Sequence, residues 1–292
     1  MKKKNKKALD LYKIFIYIAL LTLAITIIVP VLWVFMASVK DNSEFYGNPW
    51  VLPKGLKFSN FKEAIVIANM GEYFMNSVIV TGLGIVILLV VAVPCAYALS
   101  RFEFKGQKFL APLFHGGIFI NVNYIVVPIF LMLLNWDIAL NAKLGHGFFL
   151  DNKFVLALVY ASTSIPFTIY LLSNYFRTIP KDFEEAANMD GAGNFRTMIS
   201  IMVPMAKPSI ITVILFNFLS FWNEYIISLT LMPNSTKTLP VGLINLMQSQ
   251  RGAANYGPMY AGLVIVMLPT LILYMLVQKK LTEGMTVGGV KG

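Results

Sequence analysis

Residues 73–100, YFMNSVIVTGLGIVILLVVAVPCAYALS, contain no acidic or basic side chain. A helix needs about 20 mostly apolar residues to cross a hydrocarbon core of about 30 Å. The run exceeds that length and is too long for a strand of a soluble core. It also lacks the alternation of apolar and polar residues that is typical of a membrane β-strand. The run therefore predicts a membrane-spanning helix.

Five further runs of the same kind occur along the chain. Four contain no charged residue, and the remaining one contains only Glu224. Most carry a proline, which membrane helices tolerate when neighbouring groups satisfy the freed carbonyls. We therefore predict an all-α polytopic membrane protein with six transmembrane helices. The five runs are 14–37, 109–136, 154–176, 208–236 and 252–278.

The composition excludes the main soluble classes. Hydrophobic residues make up 57% of the chain and charged residues 13%, against roughly 45–50% and about 25% in soluble domains. A soluble protein of 292 residues could not bury that much apolar surface in one core. Intrinsic disorder is excluded by the same composition. Cys95 is the single cysteine, so an intrachain disulfide is excluded.

The net charge of +10 comes from short segments between the apolar runs. Sixteen of the 24 Lys and Arg residues fall on the side of the predicted membrane that holds both termini. Because cytoplasmic segments carry the excess of Lys and Arg, we predict that both termini are cytoplasmic. The orientation in the membrane thus accounts for the net positive charge, and no nucleic-acid partner is expected. The predicted domains are a basic N-terminus at 1–13, a transmembrane domain at 14–278 and a cytoplasmic tail at 279–292.

The first apolar run leaves a signal peptide open as an alternative, because basic residues precede it. Residues 14–37 are longer than the apolar region of a signal peptide, which has about 7–15 residues, and no convincing cleavage site follows. An uncleaved first span is the favoured interpretation.

The cytoplasmic loop at 177–208, RTIPKDFEEAANMDGAGNFRTMISIMVPMAKP, predicts a short exposed helix. Pro180 suits the first turn of a helix. Glu184 and Glu185 then lie near the positive end of that helix. Gly191 is expected to end it in a turn that needs a positive φ angle. Such a helix, held between two spans, is suited to transmit force.

A fixed pattern runs through this loop. It consists of EAA at 185–187, Gly191 after three residues and IMVP at 201–204 after nine more. This resembles the EAA loop of ABC-importer permeases, whose pattern is E-A-A-x3-G-x9-I-x-L-P. The chain departs from that pattern only at Val203, an apolar residue in place of Leu.

Other segments extend the resemblance over nearly the whole chain. WNEY at 222–225 is similar to an element of carbohydrate-importer permeases, and 284–292 is similar to the family's C-terminal ending. The segments 96–101, 102–106 and 238–243 also match. Together they resemble the smaller permease subunit of maltose-type sugar importers, and so imply a type I ABC-importer permease fold.

The resemblance implies an assembly in a bacterial inner (plasma) membrane. This chain would be a multi-pass subunit that forms a heterodimer with a second permease subunit. It would be no enzyme and would hold no cofactor, because ATP and Mg would bind two partner ATPase subunits. An extracytoplasmic sugar-binding protein would deliver the sugar. The residues implied in ATPase coupling are Glu184, Glu185, Ala186, Ala187, Asp190, Gly191 and Pro204.

Candidate sugar contacts combine aromatic faces with amide or carboxyl groups. They lie in two of the predicted spans, and polar groups within a membrane usually face a cavity. Glu224 has a second interpretation, as a structural lock that binds another helix. The candidates for the substrate path are Asn121, Asn123, Tyr124, Trp222, Asn223 and Glu224.

Two rival classes remain at this point. A stand-alone secondary transporter or channel would be expected to carry charge pairs or acid relays in several spans, whereas the six runs hold one carboxyl group. A membrane enzyme would need a catalytic motif, and neither G-x-x-x-x-G-K-[ST] nor H-E-x-x-H occurs. The identity of the sugar is left open.

Overall fold

The structure is a computed structural model that describes residues 2–46, 48–233, 236–253 and 255–287. Within these ranges the secondary structure is helical and contains no strand, which confirms the predicted all-α class. The long helices are α1 (Lys2–Ser38), α3 (Met70–Arg101), α5 (Val122–Leu144), α6 (Lys153–Thr178), α10 (Lys207–Trp222), α12 (Leu239–Ala253) and α13 (Tyr256–Val287). The shorter helices are α2 (Ser59–Lys62), α4 (Gln107–Gly117), α7 (Asp182–Met189), α8 (Asn194–Thr197), α9 (Val203–Met205) and α11 (Ile226–Leu231).

Five helices in the described part of the chain are long and apolar enough to cross a membrane. A sixth candidate is a bent pair, Asn194–Met205 and Lys207–Trp222, whose axes differ by 77°. The count is therefore five or six, in line with the predicted multi-pass architecture. The five helices are Tyr12–Ser38, Met70–Arg101, Val122–Leu144, Lys153–Thr178 and Tyr256–Gln278.

The structure corrects the predicted span at 109–136. Helix α4 ends at Gly117, and α5 begins only at Val122. Gly116 and Gly117 lower the helix propensity at this point. Asn121 then caps α5, since its side-chain oxygen accepts a hydrogen bond from the Asn123 backbone N–H at 3.0 Å. A continuous apolar run thus contains a helix end and a new helix start.

The predicted span at 208–236 is also broken. Helix α10 ends at Trp222, and α11 begins at Ile226. Asn223 turns its side chain back and donates to the Leu219 carbonyl at 2.8 Å. Such side-chain bonds to nearby backbone groups compete with helix continuation. Glu224 therefore lies in a break between two helices rather than inside one.

The chain forms two compact units. The first comprises Met1–Met70 and Leu243–Leu268, of which residues 1, 47 and 254 lie outside the described ranges. In it, the buried Asn60 amide donates hydrogen bonds to the carbonyl oxygens of Ser38 and Lys40, each at 2.9 Å. These bonds fix the loop that follows α1. A cluster of ring contacts packs around this loop and involves Trp33, Phe45, Trp50, Tyr256 and Tyr260.

The second unit comprises Gly71–Gly242 and Pro269–Gly292, of which residues 234–235 and 288–292 lie outside the described part of the chain. The last residues of the predicted C-terminal motif at 284–292 therefore also lie outside it. Helix α6 is central to this unit. It contacts α4, α10 and α11, and half of its most apolar 18-residue stretch is buried. Its buried side chains include Leu156, Tyr160 and Leu172. The unit holds both candidate sites described next.

Candidate functional site

Helix α7 forms within the loop that carries the EAA pattern. It begins at Asp182 with Lys181 at the N-cap position, so Pro180 precedes the helix rather than occupying its first turn as predicted. Acidic residues do occupy the first turn, as predicted. They lie where the positive end of the helix dipole stabilises negative charge.

Gly191 ends this helix with a left-handed backbone. Its φ angle is +77°, which confirms the predicted turn. Its N–H donates to the Asn188 carbonyl at 3.0 Å, and the next residue, Ala192, donates to the Ala187 carbonyl at 2.9 Å. A β-carbon at position 191 would meet no atom within 4 Å. The requirement for glycine is therefore one of backbone conformation and not of space.

The predicted coupling residues divide between two faces of the loop. Ala187 is buried and Glu184 is partly buried, so both face the protein. An outer face is exposed and includes large apolar side chains, among them Phe183, Met189 and Phe195. The other predicted coupling residues, Glu185, Ala186, Asp190, Gly191 and Pro204, are all exposed.

The inward side of α7 makes polar contacts with the end of α3. The Tyr97 hydroxyl donates to Glu184 Oε1 at 2.8 Å. Arg101 Nε lies 3.3 Å from Glu184 Oε2, and Arg101 Nη2 donates to the Ile179 carbonyl. In the sequence, residues 96–101 stand out only for their resemblance to the permease family. Because 87 positions separate Tyr97 from Glu184, the sequence carries no local signal for this contact.

A second site is a cavity of about 480 Å³ within the second unit. It lies among α4, α5, α6 and α10, and Phe167, Phe216 and Phe221 supply part of its apolar lining. Its polar lining consists of Asn123, Tyr160, Thr163, Ser164, Asn217, Ser220 and Glu224.

Two of the six predicted substrate-path residues, Asn123 and Glu224, line this cavity. Trp222 is 1% exposed and packs against Phe74 and Phe218. The others are also placed elsewhere: Asn121 caps α5, Tyr124 is 82% exposed, and Asn223 is exposed. The cavity therefore contains one candidate from the 121–124 segment and one from the 222–224 segment.

Several cavity residues were not among the sequence candidates. Asn217 and Ser220 are two of these, and they lie three positions apart on α10, which is the spacing of one helix face. That spacing was the available signal for the α10 side of the cavity. Tyr160 gave no comparable signal, since a tyrosine in an apolar run is common.

Glu224 is held by three hydrogen bonds to its side chain. Oε1 accepts from the Ile227 backbone N–H at 2.7 Å, and Oε2 accepts from the Ser228 backbone N–H at 3.1 Å. The Tyr160 hydroxyl of α6 also donates to Oε2, at 2.8 Å. The carboxyl group therefore satisfies the free N–H groups at the start of α11 and joins that helix to α6.

The family described as "Binding-protein-dependent transport system inner membrane component" matches residues 93–286. The chain is 35% identical over 266 residues to the diacetylchitobiose uptake system permease protein NgcG of Streptomyces coelicolor, covering 91% of this chain and 84% of that protein. It is 29% identical to the trehalose/maltose transport system permease protein MalG of Thermococcus litoralis, covering 97% and 98%.

The fold is similar to that of a solved transporter chain. That chain belongs to the crystal structure of a bacterial ABC transporter involved in the import of the acidic polysaccharide alginate. The TM-score is 0.76 at 26% identity, and the match covers 92% of this chain and 96% of that chain.

Proposed function

Because the chain belongs to the family of binding-protein-dependent transport system inner membrane components, we propose that it is a permease subunit of an ATP-binding-cassette importer for a sugar or oligosaccharide. It is a multi-pass protein of the bacterial inner (plasma) membrane. The carbohydrates named for NgcG, MalG and the alginate transporter support the substrate class.

The observation that carries the proposal is the exposed outer face of α7. Glu185 and Ala186 present a charge and a small side chain there, next to exposed apolar groups such as Met189. A compact surface of this kind suits docking in a cleft of an ATPase subunit. Glu185 would face a basic residue in that cleft, which gives orientation as well as attraction.

The assembly contains this chain, a second permease subunit, two ATPase subunits and an extracytoplasmic sugar-binding protein. ATP and Mg bind the ATPase subunits, and hydrolysis occurs there. Closure of the ATPase pair moves the docked loop helices, and the spans then rock between inward-open and outward-open states. In this scheme 1–13, 177–208 and 279–292 are cytoplasmic, and membrane lipid surrounds the outer helices.

The substrate path includes the cavity of the second unit. Sugars offer hydroxyl groups that bind amides, hydroxyls and carboxyls, and they offer C–H surfaces that pack on rings. The cavity holds both kinds of partner, with Asn123 and Ser164 on the polar side and Phe167 and Phe221 on the apolar side. Glu224 contributes to this lining while it holds α11 in place.

Cysteine labelling tests the orientation. In a Cys95→Ser background, Asn188→Cys should react with a membrane-impermeant thiol reagent only from the cytoplasmic side. Ser249→Cys should react only from outside. Both positions are exposed, and the excess of Lys and Arg predicts the cytoplasmic side. Reaction of Asn188→Cys from outside would overturn the orientation.

Reconstitution tests the dependence on partners. The chain lacks a Walker-type phosphate loop. Alone in liposomes, it should therefore neither hydrolyse ATP nor take up sugar. Adding the second permease, the ATPase subunits and the loaded binding protein should restore both. Uptake by the isolated chain, driven by a proton or sodium gradient, would instead support the stand-alone transporter class.

A further inference from the structure

We propose that Tyr97, Arg101 and Glu184 form a clamp that ties the docking helix α7 to the membrane-spanning helix α3, so that both helices move as one body during transport. The proposal rests on the function proposed above and adds a route by which movement enters the membrane. Tyr97 and Arg101 are positioning residues in this scheme, since they act through Glu184.

The clamp is polar and largely shielded from water. Glu184 Oε1 accepts a hydrogen bond from the Tyr97 hydroxyl, whereas Oε2 forms an ion pair with Arg101 Nε at 3.3 Å that lacks hydrogen-bond geometry. The side chains of Arg101 and Glu184 are 5% and 15% exposed. Charge pairs that are shielded in this way are screened less by salt than surface pairs are. Arg101 also binds the Ile179 carbonyl, just before α7, so it holds the helix and its incoming segment together.

Tyr97 is held in place before it reaches α7. Its ring makes edge contacts with Phe102 and Phe176, at centroid distances of 5.3 and 5.7 Å. Tyr97 as a whole is 4% exposed. Because neighbouring rings fix its orientation, the hydroxyl is pre-positioned for Glu184. Movement of Glu184 therefore displaces a packed side chain and not a freely rotating one.

Apolar packing alone gives α7 a weak hold on the membrane helices. Within α7, all of which the structure describes, Ala187 is the one buried residue. The chain links on either side are irregular, around residues 179–181 and 191–193. Such links can bend under load. The contact between Glu184 and α3 is the stiffer connection, since it joins α7 directly to a helix of 32 residues.

The neighbouring carboxyl groups Glu184 and Glu185 then have separable roles. Glu185 is exposed and faces the ATPase side, whereas Glu184 faces α3. Loss of the Glu185 contact should detach the ATPase subunits. Loss of the Glu184 contact should leave them attached and break the transfer of movement. Retention of the ATPase subunits when the Glu184 contact is lost therefore distinguishes a clamp residue from a second docking residue.

The experiment uses the complete transporter in nanodiscs and in proteoliposomes. It measures co-purified ATPase subunits and the amount of sugar taken up per ATP hydrolysed. Tyr97→Phe and Glu184→Gln should each keep the ATPase subunits attached and lower uptake per ATP at least threefold. The double variant should fall no further than the larger single effect, because both changes remove one shared contact. Glu185→Lys should instead lose the ATPase subunits.

Two matched variants serve as controls. Asp182→Asn removes one negative charge from the same first turn of α7, at an exposed position. Tyr175→Phe removes a hydroxyl from α6 near the same end of the membrane helices. Both should keep the wild-type ratio of uptake to hydrolysis. Unchanged ratios in Tyr97→Phe and Glu184→Gln, or effects that multiply in the double variant, would overturn the clamp while leaving the proposed function intact.

A second measurement does not depend on these variants. Spin labels at Glu103→Cys and Asn188→Cys, in the Cys95→Ser background, report the distance between α7 and the segment that directly follows α3. Both sites are exposed. The distance distribution in the otherwise wild-type transporter should be the same with and without ATP. A shift between the two states would show that the helices move apart, and would overturn the proposal even if the variants fail to assemble.

Discussion

Valine at position 191 is expected to weaken ATPase attachment about tenfold or more. A left-handed backbone costs an L-residue roughly 1–2 kcal/mol, and about 1.4 kcal/mol corresponds to a tenfold change in an equilibrium. β-Branched residues are especially poor at positive φ. Valine would therefore move the end of α7 away from the turn seen at φ +77°. The measurement is co-purification of the ATPase subunits, with sugar-stimulated ATP hydrolysis in nanodiscs.

Gly193 provides the matched control for this substitution. It has an extended backbone with φ −72° and ψ 162°, and a β-carbon there would also meet no atom within 4 Å. Gly193→Val should therefore behave like the wild type. Neither glycine lies in an apolar run, so membrane insertion should be normal in both variants. Wild-type attachment and stimulation in Gly191→Val would make the loop a passive connector and remove the main support for the proposed function.

Replacing Glu224 by glutamine is expected to lower the yield of assembled transporter and its melting temperature. The glutamine oxygen can replace one of the carboxyl oxygens, but its NH₂ group would then face backbone N–H or Tyr160 O–H donors. A buried donor left without a partner costs about 1–3 kcal/mol, and hydrogen bonds to charged groups contribute about 1.5–3 kcal/mol. At about 2–4 °C per kcal/mol for a chain of this size, the melting temperature should therefore fall by about 2–10 °C.

Asn123→Ala separates this structural role from a role in the path. Asn123 lines the same cavity, and the hydrogen bond recorded at this residue uses its backbone N–H. The alanine variant should assemble at normal yield and show altered uptake kinetics. Normal yield together with altered kinetics in Glu224→Gln would instead place Glu224 in the path alone. Normal yield and normal transport in Glu224→Gln would remove it from both roles.

The long helices were predictable because the requirement behind them is simple. A run such as 73–100 must satisfy every backbone group internally if it lies in lipid, and a helix does this. The turn at Gly191 was also predictable, since few residues other than glycine adopt its φ angle readily. In both cases a local constraint determines the structure without reference to distant residues.

The helix breaks were not predictable from hydropathy. Residues 118–121 and 223–225 lie inside apolar runs, and their average polarity is too low to mark a boundary. Specific side chains cap the starts of the helices that follow these breaks, Asn121 at α5 and Glu224 at α11. The sequence also did not show that Glu184 faces inward while Glu185 faces outward, for a different reason. Adjacent helical residues point in different directions, and only the position of α3 shows which one faces inward.

The bend between Asn194–Met205 and α10 has a mechanical consequence. Ala206 is the elbow: it is fully buried, its N–H donates to the Met202 carbonyl, and its own carbonyl accepts from Ile210. Because its backbone is hydrogen-bonded and packed, this 77° bend is a rigid connection between the two helical segments and not a flexible one. At about 1.5 Å per residue, the arm before the elbow is about 18 Å long and α10 is about 24 Å long. If the elbow keeps its angle, we expect a thrust on the short arm to move the far end of α10, where Ser220 borders the cavity, by a displacement about one third larger. The ratio of the two segment lengths therefore sets how much the displacement is enlarged.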